Sequence, residues 1–355
     1  MNRFAFVLHP ISVKDAARKY PIAKYLPDRV VEAGMARLAP KVVSQITGIK
    51  AANGAEATGV FIGLPLTPRQ MIETLPLEQV YEKIVRCAEI AAAEGAKIIG
   101  LGAFTSVVGD GGVTVAARSP IAVTTGNSYT VATAIQGTLQ ACDLLGILPQ
   151  ASRLAVVGAT GSIGKTCASV LAPSFSSTVL VGRDEGRTSA LASELPRAEA
   201  TTHVEDIREA DVVVTVTSSD AAIILPSHLK AGSVVCDVAR PRDVSVRVAK
   251  ERNDVLVIEG GVVAVPGDVD FGFNFGFPPK TAYACMAETM MLALEGRYEN
   301  FTLGKDVSVE QVEETIAMAD RLGFKLAGFR SFERAVDDAA ILRVREARER
   351  ASAYA

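Results

Sequence analysis

The stretch that most constrains this chain is Arg153–Arg183, RLAVVGATGSIGKTCASVLAPSFSSTVLVGR. An apolar run, Leu154 to Val157, reaches a turn holding Gly158, Gly161 and Gly164; a helical pattern follows, then a second apolar run from Thr178 to Val181. Strand, glycine turn, helix and strand within about thirty residues open a dinucleotide-binding βαβ unit. The glycines predict distinct jobs: Gly158 a tight turn, Gly161 backbone access to a pyrophosphate, Gly164 close packing of helix on strand. Ala159, Thr160, Ser162 and Ile163 complete the cradle, and N–H groups at the helix start would face the phosphates. The spacing is GxxGxxG rather than GxGxxG, so the surrounding pattern carries the reading more than the glycines do.

The end of the second strand selects the cofactor. An NAD site usually carries Asp or Glu there, against the ribose 2′-hydroxyl. Here Gly182 and Arg183 stand in that place, so a 2′-phosphate would meet a guanidinium and the expected cofactor is NADPH; a plain surface arginine is the alternative. Asp184 reads as the cap of the next helix.

The rest of the composition narrows the class. The 355 residues are enough for two domains, and 49% hydrophobic with 22% charged residues suits a substantial core. A formal charge of −3 leaves no basic footprint for nucleic acid. Cys87, Cys142, Cys167, Cys236 and Cys285 are scattered with no CxxC pair, which fits a reducing cytoplasmic setting rather than a disulfide framework. His9, His203 and His228 lie far apart, so no metal site is expected. No stretch has the uninterrupted apolar length of a transmembrane segment.

Taken in order, Phe4–Leu8 reads as a buried strand, with helices near 12–20 and 28–38. Lys41–Lys50 and Ala57–Leu64 read as a hairpin around Asn53-Gly54. Leu77–Ala93 has helical spacing, and Lys97–Leu101 is a strand running into GAFTSVVGDGG. Thr105 and Ser106 then fall just past a strand end, where open α/β sheets bind ligands. Next come a short strand, the polar run Thr124, Thr125, Gly126, Asn127, and a helix ending near Gly146. Thr125 or Asn127 would either cap that helix or touch substrate or nicotinamide. Beyond Arg183 a helix from Arg187 to Leu195 precedes three further strands, VVVTVT, SVVCDVA and DVLVIEGGVV. Thr217, Ser218, Asp237 and Gly260-Gly261 at their ends would line the crevice, Asp237 more simply as a cap. Phe271, Phe273, Phe275 and Phe277 would form an edge-strand face or an apolar channel. TAYACMAETMMLALEGR is a helix after Pro278-Pro279, with Cys285 in its second turn and Lys280 close in sequence, the kind of setting that lowers a thiol pKa. A lone cysteine in such a setting is usually a core residue. Val309 to Arg321 reads as a helix, and 333–350 as a charged helix with a solvated or interface face.

The ordered set LGAFTSVV, TTGNSYT, RLAVVGATGSIG, EGGVV and AYACMAETMMLALEGRYENFTLG resembles the fatty-aldehyde-forming long-chain acyl-ACP reductases of cyanobacteria, over roughly residues 95 to 325. The resemblance implies that an active-site cysteine takes the acyl group as a thioester and that NADPH reduces it to the aldehyde. The family's cysteine matches Cys285 in ACMAE, and its NADPH site matches Gly158, Gly161, Gly164 and Arg183, with Thr217 and Gly261 along the crevice. It implies acyl carrier protein or acyl-CoA as the acyl donor, with an aldehyde-consuming enzyme as a further partner. Departures lie in Asp110–Ser119, in FGFNFGFPP and in residues 330–355, and bear on chain length and carrier docking. Thr125, Asn127, Ser106 or nearby N–H groups would hold the oxyanion.

The expected fold is α/β: a Rossmann-type doubly wound parallel sheet plus an N-terminal α/β substrate domain, with C-terminal helices packing back. The expected division is 1–149, 150–275, 276–330 and a charged helical tail, 331–355. Two alternatives stay open, a shikimate-dehydrogenase-like enzyme reducing a carbonyl directly and a non-catalytic NADP-binding regulator. The first wants a Lys/Asp pair; Lys97 is present without an evident Asp partner.

Overall fold

The computed structural model describes residues 2–14, 25–219, 221–239, 241–274, 276, 278–332 and 334–353. The chain is an α/β protein with two compact units. One is Met1–Asn127, Ala264–Lys305 and Thr315–Lys325; the other is Ser128–Val263, Asp306–Glu314 and Leu326–Ala355. The chain thus leaves the first unit after Asn127 and returns to it at Ala264, ahead of the helix that carries Cys285. Most of the expected helix near 12–20 lies outside the described residues.

The first unit is built on β1 (Asn2–Leu8), β2 (Lys41–Lys50), β3 (Glu56–Gly63), β4 (Ile98–Gly100) and β5 (Ala122–Thr124). Across the sheet the order is strand Gly267–Asp270, then β2, β3, β1, β4 and β5. β2 and β3 form the antiparallel hairpin, turning at Gly54 with φ +85°, while β3, β1, β4 and β5 run parallel. Phe4, Ala5, Phe6 and Val7 are all buried, as a parallel strand covered on both faces requires. Ala5, Val7, Ile99 and Leu101 join the helix Leu77–Ala93 in one core. The helix Ala284–Leu294 packs over β1, β3 and β4. Its approach is close because Gly100 has no side chain; a Cβ there would collide with the Thr289 hydroxyl.

The second unit holds β6 (Arg153–Val157), β7 (Ser177–Val181), β8 (Ala198–Thr201), β9 (Val212–Thr215), β10 (Val234–Asp237) and β11 (Leu256–Glu259). All pair in parallel in the order β8-β7-β6-β9-β10-β11. That is the doubly wound order of a dinucleotide-binding sheet, with its switch point between β6 and β9. β8 carries no apolar pattern because it is a half-exposed edge strand, AEAT.

The charged tail is not merely solvated. Its helix, Asp338–Ala353, buries Val344 and Ala347 in the second unit. Gly232, at φ +75°, makes room for it: a Cβ there would strike Arg348. Asp211 clamps the contact, accepting from the Arg153 N–H at 3.0 Å, Lys230 at 2.9 Å and Arg348 at 3.0 Å. Burial pushes the Asp211 carboxyl up, but the Arg153 N–H and the two cations outweigh it and hold it below the ordinary value. A depressed carboxyl adds stability above its unfolded pKa and loses it as pH falls through its folded one. Asp211→Asn is therefore expected to lower the urea midpoint at pH 7. The gap from wild type should close as pH drops below about 4, measured by urea unfolding across pH.

Candidate active site

In the first unit the candidate chemistry gathers at the C-terminal ends of β4 and β5. Cys285 is the second residue of its helix, which starts at Ala284; Thr281–Tyr283 is a short strand, not helix as the sequence suggests. The backbone breaks at Lys280, with φ +60°. Cys285 therefore sits in the first helical turn, not the second, among N–H groups that have no intrahelical partner. Lys280 is engaged elsewhere, its Nζ 2.7 Å from Asp268.

The other four cysteines are buried, and Cys285 alone is partly exposed. Burial pushes the Cys87 thiol up to about 12 and the Cys142 thiol to about 12, and raises Cys167 further. These are protonated packing groups at any physiological pH.

Gly126 is pressed against the nucleophile candidate. Its φ is +75°, and a Cβ would collide with Cys285 Cα and Cβ. The residues before it are fixed. Thr124 donates its hydroxyl to Glu288 Oε1 at 2.5 Å and accepts the Gly126 N–H at 3.3 Å. Thr125 donates to the Thr302 carbonyl, so its hydroxyl does not cap the following helix. Asn127 opens the helix Asn127–Leu145. Its side chain is 4% exposed and has no hydrogen-bond partner among the described residues, which leaves its amide available to a ligand.

The GAFTSVVGDGG loop folds beside them. Thr105 and Ser106 are buried in a 3-10 turn, their hydroxyls donating to the carbonyls of Gly102 at 2.8 Å and Ala103 at 2.7 Å. Gly111 lies against Gly304, whose N–H donates to the Gly111 carbonyl at 2.9 Å. Of the phenylalanine run, Phe271 stacks on Phe61 at 6.0 Å and Phe273 is exposed; Phe275 and Phe277 lie outside the described residues.

In the second unit the glycine turn follows β6. Gly158 has φ +82°, and a Cβ there would lie 2.6 Å from the Val216 carbonyl oxygen. A Cβ on Gly164 would collide with the Gly158 carbonyl, so the helix Ser162–Leu171 approaches the strand as closely as glycine permits. Gly161 differs. It is exposed, its φ is −77°, and an added Cβ would have only the Gly158 oxygen near, at 3.3 Å. The protein itself sets a milder demand for glycine there than at Gly158 or Gly164, and a phosphate resting on the backbone would add to it. Ala159 is buried, while Thr160, Ser162 and Ile163 are half-buried around the turn.

Arg183 follows β7 in the open, with no hydrogen bond or ion pair among the described residues. Asp184 caps the next helix, accepting the Arg187 N–H at 2.8 Å. Arg187, which the sequence reading passes over, turns back to donate to the Thr160 carbonyl at 3.2 Å. It brings a second guanidinium to the turn. Thr217 is spoken for: its hydroxyl and N–H both donate to the buried Asp243 carboxylate. Asp237 accepts the N–H groups of Ala239 at 3.1 Å and Val244 at 3.0 Å, and so organises the loop after β10. Gly261 turns with φ +83° after β11. The open cradle fits the pyrophosphate of a dinucleotide, and Arg183 stands exposed beside it.

No group of three or more His, Cys, Asp or Glu among the described residues is placed to hold a metal ion, and no helix among them is long and apolar enough to cross a membrane.

Comparison with known proteins extends this geometry. Residues 145–259 match the Shikimate / quinate 5-dehydrogenase family. The chain is 33% identical over 298 residues to the aminotransferase PigE of a Serratia species, a stretch that is 81% of this chain and 35% of PigE. It spans only about a third of that relative. It is 28% identical over 301 residues to the long-chain acyl-[acyl-carrier-protein] reductase of Synechococcus elongatus, 81% of this chain and 87% of the reductase. Among solved structures, L-tryptophan dehydrogenase from Nostoc punctiforme aligns over 99% of this chain and 89% of its own, with 13% identity and a TM-score of 0.44. Residues 145–259 thus form a Rossmann domain of the NAD(P)-binding kind.

The difference among the thiols has a direct readout. Iodoacetamide at pH 8 is expected to alkylate one thiol of the native protein rapidly, at Cys285, with the other four reacting only after denaturation. Peptide mass mapping over time checks it.

Proposed function

We propose that the chain is an NADPH-dependent reductase that converts a long-chain acyl thioester to the fatty aldehyde through an acyl-enzyme on Cys285. The observation that carries this reading is Cys285 itself: the one partly exposed cysteine, in the first turn of a helix, with the Gly126 backbone packed on it. The likeness to the Synechococcus elongatus reductase supports a thioester carried by acyl carrier protein, with acyl-CoA as the other donor.

The chemistry divides into two bond exchanges. Cys285 Sγ bonds to the acyl carbon, the bond to the donor sulfur breaks, and that sulfur leaves as a thiol after taking a proton. One thioester replaces another, so the step is nearly neutral in bond energy, and the protein's task is to place the carbonyl and steady its oxyanion. Asn127, next to the Gly126 backbone packed on Cys285, is the group suited to that oxyanion. When bound, NADPH supplies the hydride that turns the acyl carbon into an aldehyde carbon. Cys285 then departs as a thiolate, ready for the next acyl group. Gly161 and its neighbours would take the pyrophosphate, and Arg183 with Arg187 the 2′-phosphate.

Direct carbonyl reduction fits less well. Lys97 precedes β4 at the N-terminal edge of the sheet, away from the end where such sheets bind ligands, and its Nζ lies over the Tyr298 ring at 5.0 Å. It is an exposed lysine set over an aromatic ring. The likeness to PigE, an aminotransferase, suits the product: aminotransferases act on carbonyl compounds, and an aldehyde is one. An aldehyde-consuming partner in the cytoplasm belongs to the same proposal.

Two measurements test the reading. Intact mass after mixing with palmitoyl-ACP or palmitoyl-CoA without NADPH is expected to show an acyl adduct on wild type and none on Cys285→Ala, discharged as aldehyde when NADPH is added. No adduct on wild type from either donor overturns the covalent mechanism. Separately, the double substitution Arg183→Ala, Arg187→Ala is expected to weaken NADPH binding by about 10- to 100-fold, the worth of one or two charge-assisted bonds, with NADH binding little changed. Calorimetric titration with both nucleotides checks it; equal losses for the two would return both arginines to the surface.

A further inference from the structure

The cysteine helix carries one residue that its packing does not explain. Glu288 has no exposed surface and stands among Ala284, Met286, Ala287 and Met291, all buried. A carboxyl costs several kcal/mol to place in such surroundings unless bonds compensate it. The compensation here is specific. Oε1 accepts the Thr124 hydroxyl at 2.5 Å and the Thr302 hydroxyl at 3.2 Å, from the end of β5 and from the loop beside it. Both threonines are themselves buried.

The bonds have a direction. The Gly126 N–H points at Thr124 Oγ1, which fills the accepting side of that hydroxyl and sends its proton to Glu288. Gly126 N–H, Thr124 O–H and Glu288 carboxyl thus form one donor chain. It begins at the backbone packed on Cys285 and ends three residues along the same helix, on the side that Cys285 also faces. Thr302, held by Glu288 through its hydroxyl, accepts from Thr125 through its carbonyl, so Thr124 and Thr125 are fixed from the same carboxyl.

We propose that Glu288 is the positioning residue of the Cys285 site, its buried carboxyl holding the Thr124–Gly126 turn in register with the thiol. It acts through Thr124 and Thr302 and touches no substrate. The proposal rests on Cys285 being the nucleophile, and its consequence is geometric: the turn that leads into Asn127 sets where an acyl carbonyl rests above the sulfur. Misplacement of such a group by about an ångström costs up to 10²-fold in rate.

The test compares wild type with Glu288→Gln, Glu288→Ala and Thr124→Val, the last being nearly isosteric should Glu288→Ala not fold. Two rates are read on each protein that unfolds cooperatively: alkylation of Cys285 by iodoacetamide from pH 6 to 9, and acylation by palmitoyl-CoA at varied concentration. Glu288→Gln keeps an oxygen that can accept both hydroxyls and is expected to stay within about threefold of wild type. Glu288→Ala and Thr124→Val are expected to shift the alkylation profile and slow acylation about tenfold or more at saturating donor, with half-saturation little changed. Alkylation profiles of folded Glu288→Ala and Thr124→Val that overlie wild type overturn the proposal, as does Glu288→Gln being as slow as Glu288→Ala. Absence of any acyl adduct on wild type overturns the nucleophile reading instead, and the alkylation series still judges Glu288.

Discussion

The first unit turns on one close approach, the Gly126 backbone against Cys285. A left-handed turn with no Cβ is the condition for it, and any side chain at 126 would displace the helix or the turn. Once the approach is fixed, the neighbouring choices follow. Gly100 lets the same helix settle on the sheet, and Gly111 lets the loop after β4 meet Gly304. The hydroxyls of Thr105, Ser106, Thr124 and Thr125 are spent on holding these loops in place. Beside them stand Cys285, partly exposed, and the Asn127 amide, which has no hydrogen-bond partner among the described residues.

The second unit applies the same means to a different end. Gly158 and Gly164 are demanded by outright collisions, whereas a Cβ on Gly161 would meet one tight contact, the Gly158 oxygen at 3.3 Å. Two glycines shape the turn, and the third keeps its outer surface bare. Arg183 and Arg187 then supply charge where the turn supplies only dipoles. In both units a strand end, a glycine and a helix N-terminus make the site, because these are the places where a sheet's backbone is reachable yet rigid.

Much of this was legible in the sequence. The βαβ pattern announced the Rossmann sheet, Asn53-Gly54 the hairpin, and Asp184 the cap, since each is a local signal with a local cause. Other features were not. β8 is a polar edge strand and lacks the apolar run that marks its neighbours. Thr281–Tyr283 reads as helix by composition, and the positive φ of Lys280 that interrupts it has no sequence signature. Lys280 looked like a cation beside the thiol until its pairing with Asp268 could be seen. The tail helix reads as having a solvated or interface face, and which of the two holds is hidden because its anchor, Arg348 on Asp211, spans 137 positions. Glu288 did leave a trace: one carboxylate in a run of alanine, methionine and leucine. Periodicity can show that such a residue is buried, but not which hydroxyls satisfy it.

On the proposed reaction, these arrangements also bear on where reduction stops. The covalent step requires a carbonyl with a sulfur leaving group, because Cys285 must exchange with something. An aldehyde offers no such group; attack by Cys285 gives a thiohemiacetal, which can expel the thiol again or return its hydride to the oxidised nucleotide, and neither route leads to an alcohol. A second reduction would then need a group to protonate the aldehyde oxygen as the hydride arrives. The hydroxyls of Thr105, Ser106, Thr124 and Thr125 are each committed to a protein acceptor, and Glu288 lies sealed beneath them. N–H donors can steady an oxyanion without giving up a proton. On that proposal, hydroxyls committed in this way favour expelling a thiolate over making an alcohol.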